Sequence, residues 1–190
     1  MHYSIADFIV DIAQNAAEAD SALVEIEIEE SADAFSVKVK DDGRGMDREE
    51  AARALDPFYT DGKKHPGRKV GLGLPFLKQA IDLNGGEFSL DTGKGRGTLV
   101  AFRFDTGQID CPPVGDLAQA LFSLLCLPSS AELRIRRRRS SGSAGRAGIS
   151  GKAGLDYELV KSELVKAVGD LEESGSLALL RRYLISQEED

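Results

Sequence analysis

Residues 23–47 read LVEIEIEESADAFSVKVKDDGRGMD, with two strand-like patterns followed by a glycine-rich loop. Apolar residues alternate with glutamates over 23–30 and with serine and lysines over 35–40, a pattern that predicts two half-buried strands. The SADA segment between them is typical of a hairpin turn. The second strand then runs into Asp-Asp-Gly-Arg-Gly, which places a carboxylate and two glycines at the end of a strand. We therefore expect a hairpin that carries a chemically distinctive loop at one edge of a sheet.

Helical patterns lie on both sides of this hairpin. Ahead of it, Ser4 and Asp7 form a capping-box pattern before apolar residues at helical spacing. After it, Asp47 and Glu50 repeat that pattern and predict a second helix start. Further along, the sequence predicts a short helix over 48–55, a long loop over 56–70, a helix over 74–83, a strand that begins at residue 88 and a strand over 99–104.

The residues beyond Cys111-Pro112-Pro113 follow a predicted boundary. Their patterns predict a helix over 117–127, a strand over 133–139, a flexible Ser- and Gly-rich loop over 140–154 and helices over 158–171 and 177–185. The predicted strand is crowded with arginines: Arg134, Arg136, Arg137, Arg138 and Arg139. They indicate either a nucleic-acid surface or an edge strand that is protected by charge. We favour the edge strand and expect no nucleic-acid partner, because no aromatic residue is interleaved with the arginines.

The charge is distributed unevenly over the 190 residues, whose formal net charge is −8. Residues 1–110 hold 21 acids and 13 bases, whereas residues 111–190 hold 11 of each. Such a chain is a poor general binder of nucleic acid or of anionic membranes. Binding of an anion therefore requires a local cluster of positive charge or of N–H donors. We expect no membrane span, because no apolar run reaches about 18 residues. Two isolated cysteines favour a reducing, cytoplasmic location.

Asp11 and Asn15 belong to the segment DIAQNAAEAD on the first predicted helix. Because they are four residues apart, both project from one face of that helix. A carboxylate and a carboxamide oxygen side by side suit a hard cation such as Mg²⁺. Taken alone, the segment is better explained as an ordinary solvated helix face, because Asp, Asn and Glu are common there.

Asp41, Gly43 and Gly45 belong to the loop DDGRGMD at the end of the second strand. The two glycines let the backbone approach a planar ligand closely. An ionised carboxylate accepts hydrogen bonds, so Asp41 could receive the exocyclic amino group of adenine. Taken alone, the motif also fits a plain glycine-rich turn.

The predicted loop and the helix start after it read DPFYTDGKKHPGRKVGLGL over 56–74. A run of cations within this acidic region supplies the local positive charge that anion binding requires. The cations are Lys63, Lys64, Arg68 and Lys69. Gly71 and Gly73 precede a helix, whose first backbone N–H groups can bind phosphate. The alternative is a solvated basic loop. The segment contains neither a Walker P-loop nor a complete Rossmann fingerprint.

Together with the turn GKGRGT over 93–98, these motifs resemble those of the GHKL superfamily of ATP-binding domains. This superfamily includes histidine kinases, type II topoisomerases, heat-shock chaperone ATPases and mismatch-repair ATPases. The resemblance covers about residues 4–104. It rests on DIAQNA (11–16), the Asp-x-Gly-x-Gly of 41–45, PFYT (57–60), GLGL (71–74) and the pair Gly97-Thr98.

The resemblance implies a two-layer α/β Bergerat sandwich, with helices on one face of a mixed sheet, over residues 1–108. Residues 109–190 would form a small α/β appendage. The implied ligands are ATP and Mg²⁺, with Asn15 on the metal, Asp41 on the adenine amino group and residues 56–70 as a mobile lid. The implied ATP-binding residues are Asn15, Asp41, Gly43, Gly45, Met46, Lys63, Arg68, Lys69, Gly71, Leu72, Gly73, Leu74 and Thr98.

Asp11 bears on the type of reaction. In the superfamily that the sequence resembles, sensor histidine kinases commonly have Asn at this position. ATP-hydrolysing members commonly have Glu there, which acts as the general base. A carboxylate at position 11 could act as that base, although Asp reaches one methylene less far than Glu.

The predicted function is Mg-ATP binding with action on a protein partner supplied by another chain, by phosphotransfer or slow ATP hydrolysis. Neither His2 nor His65 lies in a helix of the phosphoacceptor type, so we expect the acceptor in that partner. The alternative is a non-catalytic module in which ATP orders the lid and thereby controls a partner. The sequence leaves the oligomeric state open.

Overall fold

The computed structural model describes residues 4–57, 73–141 and 154–189. These residues form an α/β fold, as predicted, with a mixed sheet and helices. In chain order the elements are α1 (Ile5–Ala17), β1 (Leu23–Glu30), β2 (Ala34–Asp41), α2 (Arg48–Ala54), α3 (Gly73–Asn84), β3 (Glu87–Gly93), β4 (Gly97–Asp105), α4 (Leu117–Leu125), β5 (Glu132–Arg139), β6 (Leu155–Val160), α5 (Lys161–Val168) and α6 (Ser174–Glu189).

The predicted hairpin forms the middle of a six-stranded sheet with the strand order β3-β4-β2-β1-β5-β6. The pairing of β1 with β5 is parallel, and the other four pairings are antiparallel. On β1 the apolar side chains Val24, Ile26 and Ile28 are buried beneath the helices. The glutamates between them lie on the opposite face, as the alternation of residue types predicts.

The predicted start of α1 is confirmed. The Ser4 side chain accepts from the Asp7 N–H, and the Asp7 carboxylate accepts from the Ser4 N–H, which completes the capping box. The next two N–H groups, of Ile5 and Ala6, donate to the carbonyl oxygens of Pro113 and Val114, each at 2.9 Å. The connection after β4 therefore satisfies donors that a helix start leaves unpaired. The cap of α2 by Asp47 and Glu50 is confirmed in the same way.

The helices α1, α3, α4 and α6 contribute to one apolar core with the sheet. Phe8 of α1 stacks on Phe104 of β4, with 6.4 Å between ring centroids. Leu121, Ile135 and Leu180, from the part of the chain beyond residue 108, belong to the same buried cluster. The predicted division at residue 108 stays a prediction. In the described residues the second part adds strands to the sheet of the first. None of the described helices has the length and apolar character needed to cross a bilayer.

Two expectations for the second part are wrong. The Arg-rich strand β5 is not at an edge, because it lies between β1 and β6. The helical spacing assigned from residue 158 fails over its first residues, since Leu155–Val160 is a strand and α5 begins at Lys161. Pairing with β5 overrides the helical preference there. An alternation of Leu155, Tyr157 and Leu159 with acids was the missed signal.

The sheet face opposite the helices explains the arginines. Charge alternates from strand to strand: lysines on β2, glutamates on β1, arginines on β5 and acids on β6. Glu27 lies 3.3 Å from the Lys38 ammonium, and Arg138 pairs with Glu29. Arg136 pairs with Asp156 at 3.2 Å. Each exposed pair contributes little on its own, but the arrangement places an opposite charge beside each of these cations.

Candidate functional site

The site begins where three neighbouring strands bring polar side chains into one row. Asp41 of β2 lies opposite Thr98 of β4, and Thr98 lies opposite Thr92 of β3. The hydroxyl oxygens of Thr92 and Thr98 are 3.0 Å apart. The structure thus brings together Asp41 and Thr98, which the sequence analysis had placed in one site. Thr92 is a neighbour that it missed.

Asp41 is a buried carboxyl group, only 6% exposed. Burial raises the pKa of Asp41, whereas hydrogen bonds from the backbone of Gly43 and Thr98 act in the opposite direction. The Gly43 N–H donates to Oδ1 at 2.9 Å. A carboxylate held in this way keeps lone pairs for a further donor, and burial makes an unsatisfied acceptor costly. The group is therefore suited to recognise an amino group of a ligand.

Gly43 and Gly45 lie where the backbone has no room for a side chain. A Cβ at Gly43 would lie 2.4 Å from the carbonyl oxygen of Ala19, in the turn that follows α1. Gly45 has a positive φ of 61°, and a Cβ there would lie 2.0 Å from the carbonyl oxygen of Gly93. The loop after β2 therefore packs on the turn that follows α1 on one side and on the β3–β4 turn on the other.

A matched pair of substitutions tests this close packing. Gly95 also has a positive φ, of 71°, but nothing lies within 4 Å of a Cβ placed there. We expect Gly95→Ala to lose about 1–2 kcal/mol of unfolding free energy, the cost of the left-handed conformation. Gly45→Ala should lose at least about 1 kcal/mol more, because the backbone must also shift. Urea unfolding measures both values, and equal losses would contradict the packing argument.

The β3–β4 turn holds the same loop through polar contacts. The Met46 N–H donates to Thr92 Oγ1 at 2.9 Å, and the Gly95 N–H donates to the Arg44 carbonyl oxygen at 2.8 Å. The Lys94 ammonium lies 2.8 Å from the Asp47 carboxylate and lowers the pKa of Asp47. The turn thus fixes the main chain at Met46, one of the predicted ligand-binding residues. Thr92 carried no signal in the sequence, since threonine is ordinary in a strand.

Asp11 and Asn15 lie on successive turns of α1. A Cβ placed on Gly73 would lie 3.0 Å from the Asp11 Cβ and 3.3 Å from its Oδ2. The first residue of α3 therefore approaches α1 at Asp11. Asn15 is exposed and Asp11 is partly exposed, so both can be reached from solvent. Leu74, another predicted ligand-binding residue, differs from Asp11 and Asn15 because its side chain is partly buried and packs against the apolar core.

The remaining predicted ligand-binding residues lie outside the described residues. They are Lys63, Arg68, Lys69, Gly71 and Leu72, within the segment 58–72. The predicted lid over 56–70 falls almost entirely in that segment. The described part of the site therefore consists of α1, the loop after β2, the start of α3 and the β3–β4 turn.

Curated relatives resemble the chain over part of its length. The cell-division control histidine kinase PdhS of Brucella canis is 32% identical over 83 residues, which are 38% of this chain. The sensor histidine kinase WalK of Bacillus subtilis is 31% identical over 80 residues, or 40% of this chain. The matched regions cover only 8% and 13% of those two proteins.

Solved structures that match part of the chain include two histidine kinases. The catalytic domain of histidine kinase ThkA is 21% identical with a TM-score of 0.40, over 52% of this chain and 64% of that one. The mycobacterial sensor histidine kinase MprB is 18% identical with a TM-score of 0.39, over 52% and 69%.

A family model matches residues 4–108, which run from the N-cap of α1 to just beyond β4. This range contains the buried Asp41, its neighbour Thr98, the glycines of the loop after β2 and the α1 residues Asp11 and Asn15. The match spans more than half of the chain, and the chain therefore belongs to the histidine kinase-, DNA gyrase B- and HSP90-like ATPase family, the GHKL superfamily.

Proposed function

We propose that this chain binds Mg-ATP at the site beside Asp41 and acts on a partner protein, by phosphotransfer or slow ATP hydrolysis. The observation that carries the proposal is the buried Asp41 carboxyl, whose pKa burial raises, next to Thr98 at the end of the central strands. A family of ATPases supplies the ligand class. A partner is part of the proposal because phosphotransfer requires an acceptor side chain.

The chemistry of the described residues supports a nucleoside as the ligand. Asp41 Oδ1 is held by the Gly43 N–H, so the carboxylate has a fixed direction in which to accept from the amino group of adenine. The absence of side chains at Gly43 and Gly45 allows the backbone to approach a flat base. Asp41, Gly43, Gly45, Met46 and Thr98 would thus hold the nucleoside part of ATP.

The phosphates of ATP would be bound by residues of α1, through Mg²⁺, and by the start of α3. Asn15 offers an exposed carboxamide oxygen, a ligand type that Mg²⁺ accepts. When bound, Mg²⁺ would offset the negative charge of the phosphates. Gly73 begins α3 close to Asp11, and N–H groups at a helix start favour phosphate. Lys63, Arg68, Lys69, Gly71 and Leu72 belong to the same proposal by sequence.

Asp11 would act as the general base. Its carboxylate would accept the proton of an attacking water or partner side chain while the new bond to the γ-phosphorus forms. The bond from the γ-phosphorus to the bridging oxygen breaks, and ADP leaves with both electrons of that bond.

Calorimetric titration of the purified chain with ATP, with and without Mg²⁺, tests the binding step. We expect saturable binding that depends on Mg²⁺, together with a higher melting temperature at saturating ATP. Absence of binding under both conditions would overturn the proposal.

Asp11→Asn tests the base assignment. We expect ATP affinity to change less than about twofold, whereas phosphate release or transfer should fall by about 100-fold or more, the usual contribution of a general base. Labelled ATP distinguishes the two reactions: label on a co-purified protein shows phosphotransfer, and free phosphate alone shows hydrolysis. Asp7→Asn is the matched control, since it makes the same change one turn earlier on α1 within the capping box.

Two outcomes would argue against this assignment. Unchanged turnover in Asp11→Asn would remove Asp11 from the reaction. ATP binding without turnover in the unmodified protein would instead favour the non-catalytic module that responds to ATP.

A further inference from the structure

The Thr92 hydroxyl contacts two backbone groups and one side-chain hydroxyl around the site. Its oxygen accepts from the Met46 N–H at 2.9 Å, lies 3.1 Å from the Gly97 carbonyl oxygen and lies 3.0 Å from Thr98 Oγ1. Met46 belongs to the loop after β2, and Gly97 and Thr98 begin β4. The Thr92 side chain therefore contacts both the loop after β2 and the start of β4, the two segments that contribute to the proposed nucleoside site.

The hydrogens of these contacts can be assigned by counting. A carbonyl oxygen has no hydrogen to give, so Thr92 must donate in its contact with Gly97. A hydroxyl has a single hydrogen, so Thr98 must donate in the contact between the two hydroxyls. The Thr92 oxygen then accepts twice, from the Met46 N–H and from Thr98. This assignment places one hydrogen in each of the three contacts, and it leaves the Thr98 oxygen as an acceptor next to Asp41.

The surroundings explain why a hydroxyl is needed here. Gly45, Gly93 and Gly97 meet without side chains: a Cβ on Gly45 would lie 2.0 Å from the Gly93 oxygen and 2.9 Å from the Gly97 oxygen. A Cβ on Gly97 would lie 1.9 Å from the Asp41 carbonyl oxygen. Backbones that meet in this way have little side-chain packing to fix their spacing. A hydroxyl with one donor and two acceptor positions can fix it through hydrogen bonds.

We propose that Thr92 is a positioning residue for the nucleoside part of the site: its hydroxyl sets the spacing between the loop at Met46 and the start of β4, and it orients the Thr98 hydroxyl. This inference rests on the proposed Mg-ATP binding. Thr92 acts through Met46 and Thr98, and its effect is on the base and ribose end of the ligand. The proposal implies that Thr92 matters little for the phosphates.

Three variants test the proposal. Thr92→Val keeps the shape of the side chain and removes the hydroxyl, whereas Thr92→Ser keeps the hydroxyl. Thr106→Val is the matched control, because Thr106 follows the far end of β4 and its hydroxyl donates to the Ala32 carbonyl oxygen, at 3.5 Å, away from the proposed site. Dissociation constants are measured for Mg-ATP and for Mg-tripolyphosphate, which lacks the nucleoside.

We expect Thr92→Val to weaken Mg-ATP binding about tenfold, the usual effect of one lost hydrogen bond to a positioned group. Thr92→Ser and Thr106→Val should stay within about twofold of the unmodified protein, and binding of tripolyphosphate should not change. A merely structural role would lower the melting temperature of Thr92→Val without separating the two ligands. Equal ATP binding by Thr92→Val, equal failure of Thr92→Ser, or an equal loss on tripolyphosphate would each overturn the inference.

A second measurement does not depend on the variants folding. In the unmodified protein the Met46 amide should exchange its hydrogen slowly, since it donates to Thr92. Exchange at the rate of an open loop would overturn the inference even if Mg-ATP binds. If the unmodified protein fails to bind Mg-ATP, the proposed function itself falls, an outcome distinct from the failure of Thr92→Val alone.

Discussion

Asp41→Asn should weaken Mg-ATP binding by about 10- to 100-fold, the effect of a buried polar group left without its partner. The Asn carbonyl oxygen must accept from the Gly43 N–H, which now donates to the Asp41 carboxylate at 2.9 Å. The amide NH₂ then takes the place of the second carboxylate oxygen. An amino group of the ligand would meet a donor where it had met an acceptor. Calorimetric titration with Mg-ATP measures the loss, and unchanged affinity would contradict the role proposed for Asp41.

The same substitution should stabilise the ligand-free protein near neutral pH. Burial raises the pKa of Asp41 above its ordinary value of 3.8, so folding disfavours the ionised form. A carboxyl with a raised pKa contributes its stability in acid and loses it as the pH rises through that pKa. Asp41→Asn should therefore melt at a higher temperature at pH 7, and the difference should shrink at a pH below the ordinary value.

Asp42→Asn is the matched control, because the neighbouring carboxyl has a shift of the opposite sign. The Ala22 and Leu23 N–H groups donate to Asp42 Oδ1 at 2.8 and 2.9 Å, and hydrogen bonding lowers the pKa of Asp42. Its ionised form is favoured by folding, so Asp42→Asn should lower the melting temperature at pH 7 and leave ATP binding unchanged. Identical stability effects at the two positions would contradict the assigned signs.

Arg137→Leu should lower the free energy of unfolding by about 3–5 kcal/mol, the range for breaking a buried ion pair by removing one partner. The Arg137 side chain is fully buried and pairs with Glu30 at the end of β1 and with Glu188 on α6. Its guanidinium carbon also lies 5.6 Å from the centre of the Phe35 ring. The substitution would leave two largely buried carboxylates without this cation. Equilibrium unfolding in urea measures the change.

Arg136→Leu provides the comparison on the same strand. Arg136 points to the opposite face, where it pairs with Asp156 while both side chains remain about half exposed. We expect a loss within about 1 kcal/mol, as for other exposed pairs. Adding Glu30→Leu and Glu188→Leu to Arg137→Leu should recover part of the lost stability, because apolar groups can replace a buried ionic cluster. Similar losses for Arg136→Leu and Arg137→Leu would contradict the role of burial.

The local features of the site could be predicted from the sequence. The capping box of Ser4 and Asp7, the hairpin of β1 and β2, and the glycines after Asp41 depend on residues close together in the chain. Turn chemistry and strand alternation report such short-range structure. These features also position Asp11 and Asp41, which is why the predicted site residues in the described part are found on the expected elements.

The roles of Arg137 and Thr92 were missed because they depend on contacts with residues far away in the chain. Arg137 is buried only because β5 lies beside β1, where acids from β1 and α6 surround it. Thr92 acquires its role because its hydroxyl accepts from the Met46 N–H, 46 residues earlier in the chain. A strand pattern does not reveal which strand will be its neighbour, so the edge position predicted for β5 was wrong.

The parallel pairing of β1 with β5 has a consequence for how this protein is made. Leu23 pairs with Glu132, and Glu30 pairs with Arg139, so the partner strand is synthesised more than a hundred residues after β1. Pairings of such long sequence separation slow folding. Until the pairing forms, the unpaired edge of β1 can pair with strands of other chains. During translation the hairpin that carries Asp41 can form early. The edge of β1 that pairs with β5 nevertheless stays exposed until the Arg-rich strand has been synthesised.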